Sequence, residues 1–134
     1  MPLSHLAGAT SIPDLPYWHW LTKMAPLDPK NIVLIGIRDI DKDEYISLKK
    51  HGVKCFTMDH VETLGIGEVM KQTVEYLDPE KQHPFHLSFD VDGIDPEALS
   101  QTGTLFRAGL TPREANLIVR RLVHDRRLVS MDLV

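Results

Sequence analysis

The stretch His86-Leu87-Ser88-Phe89-Asp90-Val91-Asp92-Gly93-Ile94-Asp95-Pro96 begins as a strand and stops at two acids. Residues 86–89 are apolar and aromatic apart from His86 and Ser88, as in a strand near a core. Positions i and i+2 of a strand share a face, so Asp90 and Asp92 project side by side where the strand ends. Gly93 and Asp95-Pro96 then break the regular backbone. In an open parallel α/β sheet, ligands bind outside the carboxyl ends of the strands. Two neighbouring carboxylates raise each other's pKa unless a cation lies between them. Their hard oxygens suit Mg²⁺ or Mn²⁺ better than Zn²⁺. The competing reading is a pair of solvated aspartates in a loop, because D-x-D on its own is a common pattern.

Outward from this stretch, strand and helix signals alternate. Residues 31–37 are a continuous apolar run, the composition of a buried strand. Residues 41–51 read as a helix with Tyr45 and Leu48 on one face, and 53–58 as a second strand. Residues 68–77 carry Met70, Val74 and Leu77 at amphipathic spacing. The third strand is 85–91. Residues 111–125 are a well-signed helix, with Thr111 as cap, Pro112 at the first position and Glu114 at the third. Residues 128–134 are a fourth strand. This order predicts an α/β fold: a parallel β-sheet with helices on both faces.

Ahead of it, residues 1–8 read as the end of a helix. Residues 10–30, with Pro13, Pro16, Pro26 and Pro29, read as an extended connector. Trp18 and Trp20 within it are expected to pack onto a core. A last strand that stops abruptly and an uncapped start suggest part of a larger, incomplete domain filling residues 1–134.

The 134 residues suffice for one domain with a real core. A content of 43 % hydrophobic and 25 % charged residues is that of a soluble globular protein. A net charge of −4 argues against nucleic acid or an anionic membrane as a main partner. The single cysteine, Cys55, excludes an internal disulfide and reads as a buried, inert thiol. No apolar run approaches the roughly 20 residues of a membrane span. Without a secretory signal pattern, the expected location is the cytoplasm, or the mitochondrion if an upstream transit peptide exists.

Three segments together resemble the arginase/agmatinase (ureohydrolase) family. Ser88-Phe89-Asp90-Val91-Asp92-Gly93-Ile94-Asp95-Pro96 is similar to the family signature SFDxDxxDP. Thr102-Gly103-Thr104 and Gly109-Leu110-Thr111-Pro112-Arg113-Glu114 follow it in the family's order. Ile35-Gly36-Ile37-Arg38-Asp39-Ile40-Asp41-Lys42-Asp43-Glu44 is similar to the segment IGLRDVDxxE, which favours arginases over agmatinases. The resemblance runs the length of the chain and corresponds to the C-terminal part of the catalytic domain.

The resemblance implies a three-layer α/β/α domain that hydrolyses a guanidinium at a two-Mn²⁺ centre. It makes Asp90 the carboxylate bridging both metals and Asp92 a chelator of one. It makes Asp41 and Glu44 the acids that hold the α-amino group of arginine, and Thr104 a wall of the guanidinium pocket. Arg113 and Glu114 match a pair near subunit contacts in the trimeric arginases, which implies a homotrimer as one assembly open to the complete protein. A metal-bridging hydroxide is a strong nucleophile at neutral pH, because the cations lower the pKa of bound water. Acids gripping an ammonium group would select arginine over agmatine, which lacks it.

Other family features are absent. Neither the GGDHS-type nor the DAHAD-type ligand motif occurs, nor does the proton-shuttle histidine or the guanidinium-binding glutamate. Ser100-Gln101-Thr102 stands where arginases have proline-alanine-threonine, and Leu105-Phe106-Arg107-Ala108 where they have proline-valine-x-glycine. The expectation is an arginase-type polypeptide inactive as this stretch alone. The alternatives are an agmatinase or other guanidino-compound hydrolase, and a non-catalytic subunit or regulator of a complete arginase.

Several residues carry a structural reading beside the functional one. Asp41 and Glu44 have the spacing of a capping box, and so do Asp59 and Glu62. His60, His83, His86 and His124 read as surface or hydrogen-bonded histidines. Asp95 reads as a turn residue. Asp132, inside a strand, needs a hydrogen-bond partner. Arg120-Arg121 and Arg126-Arg127 fit the carboxyl end of a helix dipole.

Overall fold

A computed structural model of the chain describes residues 2–11, 14–100, 103 and 105–134. Thr104 lies outside the described residues. The chain begins with helix α1 (Pro2–Leu6). The proline-rich stretch is not extended. It forms three one-turn 3₁₀ segments, Pro16–Trp18, Leu21–Lys23 and Pro29–Asn31, two of them with proline in the first turn. A proline's missing N–H costs nothing at that position, so the density that argues against long helices permits short turns. Trp18 is half-buried beside the His5 ring, whereas Trp20 is 55 % exposed and does not pack into a core.

Strand β1 (Val33–Ile37) pairs in parallel with β2 (Lys54–Thr57), and β3 (Phe85–Phe89) pairs in parallel with β4 (Leu128–Leu133). The strands are thus all parallel, as βαβ connections demand, but they form two ladders and not one four-stranded sheet. Helix α2 (Lys42–His51) connects the first pair. Helices α3 (Met58–Leu64), α4 (Ile66–Leu77) and α5 (Pro112–His124) supply the rest of the helical layer.

Helix α3 occupies residues that sequence periodicity assigned to the end of a strand and an isolated cap. Its cap is Thr57, not Asp59: the Thr57 backbone N–H donates to Nδ1 of His60 at 3.0 Å. Histidine here takes the place of the glutamate or glutamine of an ordinary capping box. Gly65, at φ 77°, separates α3 from α4, a backbone value that favours glycine.

The core is continuous across both strand pairs. Phe56, Val61, Val69, Met70, Phe85, Leu110, Ile118 and Leu122 are all buried in one cluster. Val33 and Ile35 of β1 pack against it. Leu34, one position out of phase, points the other way into a cavity of about 290 Å³ lined also by Leu3, Ala7 and Leu48. The alternation of the strand therefore places helices on both faces of β1. On β3 the same alternation sends Phe85 and Leu87 to the core and His86 and Ser88 to the opposite face.

That opposite face is polar. His86 contacts the Ser130 hydroxyl at 2.8 Å and the Asp132 carboxylate at 3.2 Å, and Ser88 donates to Asp132 at 2.7 Å. Asp132 thereby has the partners that a charge within a strand requires. Cys55 is half-buried in β2, and burial pushes its thiol pKa up against the pull of Lys54, as suits an unreactive side chain.

Candidate active site

The site is built at the carboxyl end of β3. After Phe89 the chain turns through a short 3₁₀ segment, Val91–Gly93, capped by Asp90, whose Oδ1 accepts from the Asp92 backbone N–H at 2.9 Å. Asp90 is exposed and Asp92 half-buried. Both lie just past the strand tip, but β3 ends at Phe89 and not at residue 91, so Asp92 is placed by the 3₁₀ turn and not by strand alternation. Neither is paired with a cationic side chain among the described residues.

A second loop closes on the first. The Asp95 carboxylate accepts from Glu97 N at 2.9 Å and, across the loop, from Gly109 N at 3.0 Å. Backbone bonds run between the same segments: Leu110 N donates to Gly93 O and Asp95 N donates to Leu110 O, both at 2.9 Å. The amides of Glu97 and Gly109 hold the Asp95 carboxyl below its ordinary pKa. Burial opposes them, and Ala108 N–H and the Arg38 charge add to them. Asp95 is thus more than a local turn residue: it joins two loops 14 positions apart.

Gly109 is required by this approach. A Cβ placed there would stand 2.7 Å from Asp95 N and 2.9 Å from Gly93 O, both fixed backbone atoms. The neighbouring Ala108 has φ 60°, a left-handed conformation that costs an alanine about 1–2 kcal/mol.

The tip of β1 meets the tip of β3 through Arg38. Its guanidinium donates to the carbonyl of Asp92 at 2.5 Å and to that of Phe106 at 2.9 Å from Nη2 and 3.2 Å from Nε. Sequence reading assigned Arg38 no role. The available signal was a cation directly after a buried strand, which needs an acceptor.

Asp41 and Glu44 stand three and six residues beyond Arg38. The structure realises their capping role: Asp41 Oδ1 accepts from Glu44 N at 2.9 Å at the start of α2. Glu44 also contributes to the wall of the apolar cavity. No hydrogen bond or ion pair joins either acid to Asp90 or Asp92 among the described residues. Asp41 and Glu44 therefore follow the same strand-tip end of β1 that Arg38 ties to the metal candidates, with no polar bond to them among the described residues. Glu114 is engaged in the α5 cap, where its Oε2 accepts from Thr111 N at 2.8 Å.

The fit to a divalent metal is chemically right and numerically partial. Asp90 and Asp92 offer hard oxygen donors of the kind Mn²⁺ takes. No group of three or more His, Cys, Asp or Glu side chains among the described residues converges to hold an ion. These residues do not by themselves make a two-metal centre.

Comparison with known proteins places the chain. It matches the Arginase family over residues 7–134 and belongs to that family. It is 42 % identical to an arginase of Glaciozyma antarctica over 99 % of this chain and 39 % of the relative. It is 44 % identical to arginase-1 of Homo sapiens over 98 % of this chain and 40 % of the relative. The solved native structure of arginase from Bacillus caldovelox superposes with a TM-score of 0.86 at 33 % identity, over all of this chain and 44 % of that one. The chain thus spans about two fifths of the length of the curated relatives it matches. The two ladders are part of the α/β arginase fold.

Proposed function

We propose that this chain is the C-terminal part of an arginase-type catalytic domain, and that the complete catalytic unit hydrolyses L-arginine to L-ornithine and urea with two Mn²⁺ ions. The observation that carries this is the meeting of two strand tips. The loop bearing Asp90 and Asp92 lies against the end of β1, the strand that leads into Asp41 and Glu44.

In this reading Asp90 and Asp92 are metal ligands, Asp41 and Glu44 recognise the substrate ammonium, and Thr104 borders the guanidinium. Bound metal supplies a water of lowered pKa as nucleophile. The chain's own part is to present two carboxylates from a short, capped turn and to keep both oxygen pairs free of internal cations. The remaining ligands belong to the portion of the arginases that this chain does not span. Chain 1–134 alone is therefore inactive in urea release.

The test is a graft. This chain replaces the matching two fifths of the Glaciozyma antarctica arginase, and urea release is measured with Mn²⁺ on L-arginine and on agmatine. Turnover of L-arginine that Asp90→Ala abolishes supports the reading. A folded graft that hydrolyses only agmatine moves the substrate to the decarboxylated amine, and one inactive on both defeats the assignment.

A further inference from the structure

We infer that Arg38 is a positioning residue of the candidate site, whose guanidinium fastens both loops of the β3 tip to the end of β1. The inference rests on the metal-site reading above and adds a residue to it.

Arg38 is the first residue after β1, and its donors end on two main-chain carbonyls, Asp92 O and Phe106 O. These acceptors are 54 and 68 positions away in sequence. Among the described residues, no other hydrogen bond links the β1–β2 pair with the β3–β4 pair or its loops. One side chain therefore supplies the polar connection between the two ladders, at the end of the fold where the acids lie.

The consequence for Asp92 follows from the backbone. Its carbonyl is held by Arg38 and its N–H by the Asp90 carboxylate. With both flanking peptide groups restrained, the Cα–Cβ bond of Asp92 has a fixed direction. Phe106 lies in the loop that returns to Gly109 and Leu110, and these two bond Asp95 and Gly93. A planar fork spanning two carbonyls is a task that a lysine ammonium, a single point donor, performs only in part. Because both acceptors are neutral, the guanidinium charge is not cancelled by an ion pair and acts on the neighbouring carboxylates. Groups that orient metal ligands without touching the metal typically change affinity or activity about 10–100-fold when removed.

The experiment uses the intact chain, ¹⁵N-labelled, as Arg38→Met, Arg38→Lys and Asp90→Asn beside the parent. Amide exchange reports loop restraint, and paramagnetic broadening by added Mn²⁺ reports even weak binding at the β3 tip. In Arg38→Met the Gly93 and Leu110 amides should exchange about tenfold faster while those of β1 and β2 keep their rates. The Mn²⁺ concentration for half-broadening of the 90–95 amides should rise about tenfold, with Arg38→Lys between the two. Unchanged exchange at Gly93 and Leu110 overturns the inference. So does faster exchange with unchanged Mn²⁺ response, which reduces Arg38 to a purely structural tie. Broadening that is absent in the parent, or that Asp90→Asn leaves unaltered, defeats the metal-site reading itself.

Discussion

The two ends of the β3–β4 ladder treat charge in opposite ways. At the base, Asp78 is buried and paired with Arg127, which also binds Asp125 at 2.7 Å and lies 4.7 Å over the Phe85 ring. The His83 amide and ring complete the set around Asp78. At the tip, Asp90 and Asp92 are more open and their carboxylates have no cationic partner among the described residues; the Asp92 N–H is held by the Asp90 carboxylate and its carbonyl by Arg38. Charge that serves stability is neutralised within the chain. Charge that serves a ligand is positioned and left to be neutralised from outside.

The sharpest way to break this contrast is at the base. Asp78→Asn or Arg127→Met removes one member of a closed charge network, leaving Arg127 with the Asp125 carboxylate alone or Asp78 with the His83 and Gln82 groups, and either should lower the melting temperature more than any substitution at the tip. The effect is pH-dependent with a defined sign. Burial raises the Asp78 pKa, but the amides of His83 and Gln82, the His83 ring and Arg127 outweigh it and bring it from 3.8 to about 2. A depressed carboxyl stabilises the fold above its unfolded value and loses that contribution as the acid titrates. Thermal melts of the parent chain should therefore fall between about pH 4 and pH 2, and in Asp78→Asn this limb should flatten. A variant that keeps the full acid limb would place the sensitivity elsewhere.

Between base and tip in expected size is Gly109→Ala. The added methyl must displace backbone atoms of Gly93, Ile94 and Asp95, none of which can rotate away as a side chain would. Overpacking of this kind costs about 1–3 kcal/mol. Urea denaturation should show that loss, with faster amide exchange at Leu110 and Asp95 and little change in β1. If exchange instead rises across the whole chain, the two loops are part of the general scaffold and not a separate platform for the acids.

How much of this was legible beforehand follows the range of the interactions. Thr111, Pro112 and Glu114 announce α5 because a capping box is complete within four residues. The third strand is readable because its apolar and aromatic residues, Phe85, Leu87 and Phe89, alternate along it, although it ends at Phe89 and not at residue 91, where the 3₁₀ turn begins. Helix α3 escaped because its box uses His60, a residue absent from the usual pattern. The division into two ladders depends on which strand ends meet, and local periodicity carries no such information. Arg38 and the Asp95–Gly109 bond were out of reach because their partners are brought together only by the fold. Family resemblance named Asp90 and Asp92 as ligands, while their surroundings came from the structure alone.

A smaller effect tests how tightly the tip is tuned. Arginases carry glycine where this chain has Ala108, and the backbone retains the left-handed φ of 60° that glycine favours. Ala108→Gly relieves about 1–2 kcal/mol of strain and restores some unfolded-state entropy, which for glycine amounts to roughly 0.5–1 kcal/mol. The balance is a stabilisation of about 0 to 1.5 kcal/mol, measurable by urea denaturation. A loss of stability would mean that the methyl makes a contact worth more than the strain.

The smallest change in stability should come from the acids themselves. Asp90→Asn keeps an oxygen to accept the Asp92 amide, and Asp92→Asn removes a charge whose carboxylate forms no ion pair among the described residues. Each should alter stability by no more than about 0.5 kcal/mol in the absence of metal, the usual range for exposed positions away from a buried network. Removing two negative charges a few bonds apart should, if anything, relieve repulsion. The double variant is therefore expected to melt at or slightly above the parent in a chelator. On addition of Mn²⁺ the order should reverse: a ligand that binds only the folded state stabilises it in proportion to its occupancy, and the variant has lost the donors. If instead the double variant melts far below the parent with no metal present, Asp90 and Asp92 contribute to the fold as Asp78 does, and the contrast between the two ends of the ladder disappears.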